Sequence, residues 1–249
     1  MNNYIIDHLF EFWEYIGSQG GFFTSDKGFN YCNPGDMSWP SKVFGIECEK
    51  VDFKHLHLKM NSGTIPNSLG IAEDELTEKL LFAHNFEKTS EVKGMFLNLL
   101  EAKKPEDHFP TIKKVNTELS ATKFAEVASE SFGYRIYPRT ILSLLNSEEK
   151  IELYLGIHNG TFVNCGIIFL DKNNVSGIHM IGTIPEYRGI GLGKIMTNKL
   201  LSVAFENESD TVVLVASESG ERIYTKMGFV ADKSLKSYSA KNNVLQYGI

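Results

Sequence analysis

A glycine-rich segment with two cations is the part of the sequence best suited to chemistry. PEYRGIGLGK runs from Pro185 to Lys194 and places glycines at 189, 191 and 193, between Arg188 and Lys194. Apolar alternation predicts a strand before the segment, and helical periodicity predicts a helix after it. The first turn of a helix exposes unpaired amides and the positive end of its dipole, and glycines let a bulky anion approach them. The spacing therefore predicts a cradle for a pyrophosphate group.

Two familiar nucleotide-binding loops do not fit this segment. A Walker A loop ends in GK[ST], and here Ile195 follows Lys194. A dinucleotide-binding loop follows the first strand and has an acidic residue some 20 positions later, whereas these glycines come late in the chain. A purely structural glycine turn remains an alternative on spacing alone.

Two separated blocks decide between these interpretations. IGTIPEYRGIGLGKIMTNKL and ASESGERIYTKMGF resemble the GNAT superfamily of acyl-CoA-dependent N-acetyltransferases. The family's [R/Q]xxGx[G/A] motif falls on Arg188, Gly191 and Gly193. Its closing element falls on Tyr224 and on the pair Gly228–Phe229. The resemblance covers a little over half of the chain, from about residue 110 onwards.

The resemblance implies a mixed α/β fold of the α+β kind. Its twisted, mainly antiparallel sheet is flanked by helices and splays open between the fourth and fifth strands. The charged segment Glu101–Pro110 carries two prolines and is the best linker, so we expect two parts, residues 1–105 and 110–249. The first part alternates helix and strand without a phosphate loop. It resembles a degenerate GNAT-like half that completes the fold or shapes the acceptor cleft; an unrelated α/β cap domain is the alternative.

The co-substrate implied by the resemblance is acetyl-CoA. Its pantetheine arm would pair with the backbone of Ile181, Gly182 and Thr183, like an added strand. The residues expected at the pyrophosphate are Arg188, Gly189, Ile190, Gly191, Leu192, Gly193 and Lys194. Ser217 stands where many relatives have Asn and would contact the pantetheine with a shorter reach. Gly220 stands where Ala is common.

The resemblance assigns Tyr224 as the acid that protonates the leaving sulfur, and a phenol and a thiol have roughly matched pKa values. The attacking amine must also lose a proton. An amine of pKa 10.4 is neutral in about one molecule in 2,500 at neutral pH, so forming the neutral amine costs about 4.6 kcal/mol. His179 is the titratable side chain in the strand VSGIHMIGTI, and it is our candidate base. An ordinary packed histidine and a water chain to a distant acid are the alternatives.

The activity implied is transfer of an acetyl group to a primary amine by direct attack. The acceptor could be a small molecule, a peptide or a protein. Two other functions remain open on this fold: a non-catalytic acyl-CoA-binding regulatory module, and a transferase of another acyl group.

Composition limits the partners. The net charge is −6, from 25 basic and 31 acidic residues, and argues against binding nucleic acid or anionic membranes. Three dispersed cysteines and the lack of a basic, apolar leader predict a cytoplasmic protein with free thiols. No apolar run is long enough for a membrane span. His55 and His57 lack a nearby third ligand, so we expect no metal site.

Periodicity predicts the elements that position the site. Before the linker we expect a helix over Tyr4–Ile16, a loop over Gly20–Pro40, and helices in VDFKHLHLKMNSG and over Glu73–Phe86. Strands are expected in KVFGIEC, IPNSLGI and VKGMFLNLL. After the linker we expect helices over Ser120–Phe132 and Pro138–Leu145, a hairpin turning at Asn159–Gly160, the buried strand TVVLVA, a helix over Ser219–Lys226 and a terminal strand.

Overall fold

The computed structural model describes residues 3–36, 38–106, 108–145 and 150–242. The helices in these ranges are α1 (Tyr4–Gln19), α2 (Phe53–Asn61), α3 (Glu75–Ala83), α4 (Glu118–Phe132), α5 (Pro138–Leu145), α6 (Leu192–Glu206) and α7 (Glu218–Lys226). The strands are β1 (Phe23–Asp26), β2 (Phe29–Cys32), β3 (Lys42–Phe44), β4 (Leu69–Ala72), β5 (Phe86–Asn98), β6 (Ile112–Lys114), β7 (Ile151–His158), β8 (Thr161–Leu170), β9 (Ser176–Thr183), β10 (Thr211–Ala216) and β11 (Val230–Ala240). A 3₁₀ turn occupies Pro185–Tyr187.

One mixed sheet joins the described strands in the order β1-β2-β3-β4-β11-β5-β10-β9-β8-β7-β6. Neighbours are antiparallel except for β3 with β4 and β9 with β10, which are parallel. The prediction of a mainly antiparallel sheet flanked by helices is therefore confirmed.

The two halves of the chain exchange strands in the middle of this sheet. β11, from the carboxy-terminal end, lies between β4 and β5 and is antiparallel to both. β5, from the first half, lies between β11 and β10. Neither half therefore completes its own part of the sheet without a strand of the other.

Helix α1 is buried against the carboxy-terminal half. Leu9, Phe12, Trp13 and Ile16 recur at the spacing of one helical face. They belong to the same apolar core as residues of β7, β8, α4 and α5. Each fully buried side chain of this size contributes about 1.5–3 kcal/mol, so this face holds α1 against the β7–β9 sheet.

Local signals explain the helix boundaries. Asp52 accepts hydrogen bonds from the amides of Lys54 and His55 and starts α2, which confirms the helical interpretation of that ambiguous segment. Thr117 and Ser120 form a reciprocal capping pair at the start of α4.

Two expectations were wrong. The segment Gly20–Pro40 is not simply a loop: it contains the β1–β2 hairpin, which turns at Lys27 and Gly28. Gly28 has φ +83°, a conformation that glycine supplies without strain. The predicted Glu73–Phe86 helix ends at Ala83, and Phe86 instead opens the long strand β5.

Candidate active site

A cleft opens where the two parallel strands β9 and β10 separate. They pair only at Ser176 with Val212 and at Gly177 with Val213. Beyond these pairs lies a cavity of about 850 Å³, lined by residues of β9 on one side and of β10 and α7 on the other. The expected splay between the strands is therefore present.

Strand β9 carries a bulge beside this cleft. Its step from His179 to Gly182 matches the two-residue step from Ile167 to Cys165 on β8, so β9 contains one extra residue. Met180, within the bulge, has φ +52°, which is strained for a side chain of this size. A bulge redirects the side chains of its strand, and here His179, Met180 and Ile181 all line the cavity.

The glycine-rich loop lies at one end of the cavity. Gly189 and Gly191 have φ +83° and +90°, and α6 begins directly after Gly191. A Cβ added at either glycine would meet open space, with no atom within 4 Å. Within the described part of the chain, the amides from Gly189 to Lys194 donate to no protein acceptor. The loop therefore presents a row of free donors at a helix N-terminus.

Arg188 is tied to the protein rather than extended into the loop. Its Nε donates to the Thr183 carbonyl at 3.0 Å, and an Nη donates to the Ser131 carbonyl at 2.7 Å. These bonds join the end of β9 to the end of α4. Arg188 thereby fixes the path of the chain into the glycine loop.

Most of the residues proposed from the sequence lie together. His179, Ile181, Thr183, Arg188, Gly189, Gly191, Leu192, Gly193, Lys194, Ser217 and Tyr224 line the cavity. Gly182 and Ile190 do not: Gly182 faces Ser131 and Phe132, and the Ile190 side chain is exposed to solvent.

Tyr224 faces the loop from α7, across the cleft. Ser217 starts this helix by accepting a hydrogen bond from the Gly220 amide at 3.3 Å. The Tyr224 ring packs edge-on against Phe229, with 5.7 Å between centroids. Burial raises the pKa of the Tyr224 hydroxyl to about 12, although its contact with Thr197 opposes the shift. The phenol therefore keeps its proton at neutral pH and is available as a hydrogen-bond donor. Because burial moves its pKa further above that of a thiol, the roughly matched pKa values expected from the sequence do not hold in the folded protein.

His179 lies at the other side of the cavity, beneath Phe12 of α1. The two rings stack with 3.8 Å between centroids. Burial, and then the neighbouring His8, lower the pKa of His179 well below its usual value, so the imidazole is neutral at neutral pH.

Comparison with known proteins identifies the carboxy-terminal half. Residues 115–229 match the family model described as the acetyltransferase (GNAT) family. Residues 115–229 belong to the GNAT family. This confirms the resemblance carried by the glycine loop and by Tyr224 with Gly228–Phe229. No curated protein matches the chain.

Solved structures of GNAT proteins match most of the chain. A GCN5-related N-acetyltransferase from Kribbella flavida is 15% identical, with TM-score 0.64 and 90% of each chain covered. One from Sphaerobacter thermophilus is 16% identical, with TM-score 0.57, covering 79% of this chain and 71% of its own. A tandem GNAT protein from the clavulanic acid biosynthesis pathway is 12% identical, with TM-score 0.58, covering 86% and 79%. At these identities the likeness concerns the fold, and it extends the GNAT-like architecture to the amino-terminal half.

That half contributes a wall to the cleft of the GNAT domain. Beyond the glycine loop, the cavity is lined by the aromatic side chains of Phe12, Trp13, Trp39, Phe132, Tyr134 and Tyr187. Among the described lining residues there is no Asp or Glu. The deeper part of the cleft is therefore apolar and free of carboxylates.

Sequence reasoning missed His8. Its Nε2 lies 3.2 Å from Nε2 of His179, and its Nδ1 lies 3.0 Å from Oδ2 of Asp171. A histidine on an amphipathic helix carries no local sign of a partner 171 positions away. The available signal was Gly177, because a glycine inside a strand marks a close approach by another group.

Across the described residues, no helix is both long and apolar enough to cross a bilayer. In the same residues, no group of three or more His, Cys, Asp or Glu side chains could hold a metal ion. His57 packs edge-on against Phe86, and His55 is exposed on α2.

Proposed function

We propose that the protein is an N-acetyltransferase that moves the acetyl group of acetyl-CoA to a primary amine by direct attack. The GNAT family and fold support acyl-CoA-dependent acetyl transfer in general. The observation that carries the finer proposal is the row of amides from Gly189 to Lys194. Among the described residues these amides have no protein acceptor, and all residues from Gly189 to Lys194 except Ile190 line the same cavity as Tyr224.

These amides suit a diphosphate. They stand at the N-terminus of α6, where the helix dipole favours negative charge, and Lys194 lines the same cavity. The open space over Gly189 and Gly191 leaves room for phosphate oxygens at hydrogen-bonding distance. On β9, Arg188 already occupies the Thr183 carbonyl, so Ile181 is our choice for backbone pairing with the pantetheine arm.

Tyr224 is the proposed proton donor to the leaving sulfur. Acetyl-CoA supplies the activated acetyl group, and the protein has to stabilise the thiolate that departs. A phenol held protonated by burial can donate a hydrogen bond to that sulfur as negative charge develops on it.

The apolar cleft helps to produce the neutral amine. An ammonium group among aromatic side chains is poorly solvated, and none of the described residues that line the cavity is a carboxylate that could stabilise its charge. Desolvation of this kind lowers the pKa of an amine. His179, neutral and in contact with the cavity, is the proposed acceptor of the amine proton.

The lining also suggests which amines fit. GNAT acetyltransferases act on amine acceptors of various kinds, and here a small molecule, a peptide or a protein could supply the amine. The aromatic wall of Phe12, Trp13 and Trp39 favours an acceptor whose amine is attached to an apolar or aromatic body. We place the activity in the cytoplasm on the basis of sequence composition.

Calorimetry with acetyl-CoA, followed by thiol release against a panel of amines, tests the proposal. We expect binding, then turnover that is fastest with arylalkyl amines. Tyr224→Phe should lower kcat by about 100-fold or more with little change in acetyl-CoA affinity. Tyr31→Phe, in the first half of the chain, is the matched control.

Three outcomes would contradict this proposal. Binding without turnover, unaffected by Tyr224→Phe, would indicate a non-catalytic acyl-CoA-binding module. Turnover with another acyl-CoA but not with acetyl-CoA would indicate a different acyl transferase. Failure to bind any acyl-CoA would remove the assignment of the glycine loop.

A further inference from the structure

Three buried polar side chains form a continuous hydrogen-bonded series from the cleft, through His8 of α1, to the turn between β8 and β9. Asp171 Oδ2 lies 3.0 Å from His8 Nδ1, and His8 Nε2 lies 3.2 Å from His179 Nε2. The two imidazole planes are within 7° of parallel. The side chains of His8 and Asp171 are 0% and 4% exposed, so water does not compete for these contacts.

The hydrogen bonds among Asp171, His8 and His179 fix which nitrogen of each imidazole carries a proton. The Asp171 carboxylate can only accept, so His8 Nδ1 carries the hydrogen of the first bond. In a neutral His8 the Nε2 atom is then an acceptor, and the second bond must be donated by Nε2–H of His179. His179 is thereby left with an unprotonated Nδ1, the form that a base requires.

Asp171 is held in place for this role. Its Oδ1 accepts from the amides of Asn173 at 2.8 Å and Val175 at 2.9 Å, in the turn between β8 and β9. Burial raises the pKa of Asp171, but the hydrogen bond from His8 and these amides outweigh burial, and the pKa is lowered overall. The carboxylate therefore stays ionised beside His8.

The residues packed around His8 and His179 leave space for both imidazole rings and contact them closely. Phe12 stacks on His179, and Phe169 packs edge-on against His8 with 5.5 Å between centroids. At Gly177 a Cβ would lie 1.8 Å from His8 Nε2 and 2.6 Å from His179 Nε2. Only glycine at this position of β9 lets the two imidazoles meet.

We propose that His8 and Asp171 are positioning residues that set the tautomer of His179 and take up the proton it accepts. This inference rests on the proposed function, because it supplies the fate of the amine proton. His179 Nδ1 binds the proton of the attacking amine, and the proton on its Nε2 passes to His8 Nε2. The result is a neutral His179 with Nδ1–H and an imidazolium His8 beside the Asp171 carboxylate. Atoms and charges balance, and the positive charge ends next to a negative one.

The other ionisable groups near the pair are Asp7, Glu11 and Tyr15 on α1, Lys172 on the β8–β9 turn, and Tyr134 after α4. Glu11 is engaged by Lys172, whose amide donates to it at 2.9 Å and whose Nζ lies 3.6 Å from it. Tyr134 contacts Met180 Sδ at 3.9 Å. Among the described residues, Asp171 is the ionisable group besides His179 that hydrogen-bonds His8 directly.

Long-range proton–nitrogen correlation spectra of protein labelled at histidine nitrogens test the tautomer without any substrate. At neutral pH we expect His179 with Nε2 protonated and Nδ1 bare. As the pH falls, the first proton taken up should leave His8 protonated on both nitrogens and shift the His179 hydrogen to Nδ1. A His179 that carries Nδ1–H at neutral pH, or that becomes doubly protonated first, would overturn the proposal whether or not any amine is acetylated.

Asp171→Asn is the decisive variant. The amides of Asn173 and Val175 require its oxygen, so the new NH₂ group faces His8 and reverses the tautomers of both histidines. We expect His179 to show Nδ1–H, and kcat for acetylation of an arylalkyl amine to fall about tenfold or more.

His8→Gln can still accept from His179 Nε2–H but cannot hold a proton, so it should keep the tautomer and lose rate. His55→Gln, at an exposed position of α2, is the control. Wild-type tautomer and rate in Asp171→Asn, or wild-type rate and pH profile in His8→Gln, would refute the relay.

Discussion

The side chain of His8 fills the space that a Cβ atom at position 177 would need. A Cβ at position 177 would lie 1.8 Å from Nε2 of His8, whose side chain is fully buried. α1 belongs to the amino-terminal half of the chain and β9 to the carboxy-terminal half, so this contact is also where the amino-terminal half reaches the cleft of the GNAT domain.

Gly177→Ala should therefore displace His8 and destabilise the protein by about 1–3 kcal/mol, as overpacking does. His179 would lose its partner at the same time, and the signals of both histidines should shift. Urea unfolding gives the free energy, and the double variant Gly177→Ala/His8→Ala should recover stability relative to the sum of the single changes. Strict additivity in this cycle would contradict the steric account.

Substitutions in the glycine loop can separate two effects: added bulk beside the free amides, and backbone strain at a positive φ. Gly193→Val adds bulk beside the free amides at a helical position, where the nearest atom to its Cβ is Ile181 Cγ2 at 3.9 Å. We expect the fold to be retained and the affinity for acetyl-CoA to fall about tenfold or more, because each hydrogen bond lost to a charged group costs about 1.5–3 kcal/mol.

Gly191→Val should lose affinity as well, but it also forces a β-branched residue to φ +90°, which costs about 1–3 kcal/mol. Gly63→Val is its control: Gly63 has φ +73°, with nothing near its Cβ, and lies away from the cavity. It should lower stability without changing acetyl-CoA binding. Normal affinity in Gly193→Val would contradict the cradle.

Substitutions of Arg188 test whether this motif position acts by its charge or by the geometry of its hydrogen bonds. Its Nε and one Nη bond the carbonyls of Thr183 and Ser131 from two separate nitrogens of a rigid planar group, whereas a lysine would have to reach both carbonyls from a single nitrogen on a flexible stem. Arg188→Lys and Arg188→Met should therefore lower acetyl-CoA affinity to a similar extent, and each should lose about 1 kcal/mol of stability per hydrogen bond. If Arg188→Lys binds like the wild type in calorimetry while Arg188→Met does not, the positive charge itself is what matters.

Local sequence signals predicted much of the fold. Asn159 and Gly160 both have positive φ and turn the β7–β8 hairpin as expected, and the apolar run TVVLVA is β10. The β1–β2 hairpin was missed because its strands have only four residues and the flanking segment is rich in glycine. A strand of four residues is too short to show a clear alternation of apolar and polar side chains.

Contacts between distant segments left no comparable signal. The glycine loop and Tyr224 could be proposed from the sequence because each belongs to a contiguous motif. His8 could not be proposed in this way, because its contact with His179 depends on how α1 packs against β9, and nothing near residue 8 specifies that packing. The insertion of β11 between β4 and β5 could not be predicted either, because the apolar pattern of a strand does not indicate which strands pair with it.

The division into residues 1–105 and 110–249 stays a prediction, and the strand exchange provides its test. A fragment beginning at residue 106 would lack β5, which hydrogen-bonds both β10 and β11, and would also lack α1. A fragment ending at residue 105 would lack β11. We expect neither fragment to unfold cooperatively when expressed alone, and we expect mixing to restore a complex with the circular dichroism of the intact chain. A full-length protein cleaved within residues 101–106 after folding is the control and should stay assembled in size-exclusion chromatography. Cooperative unfolding of either isolated fragment would show that the halves are independent domains despite their shared sheet.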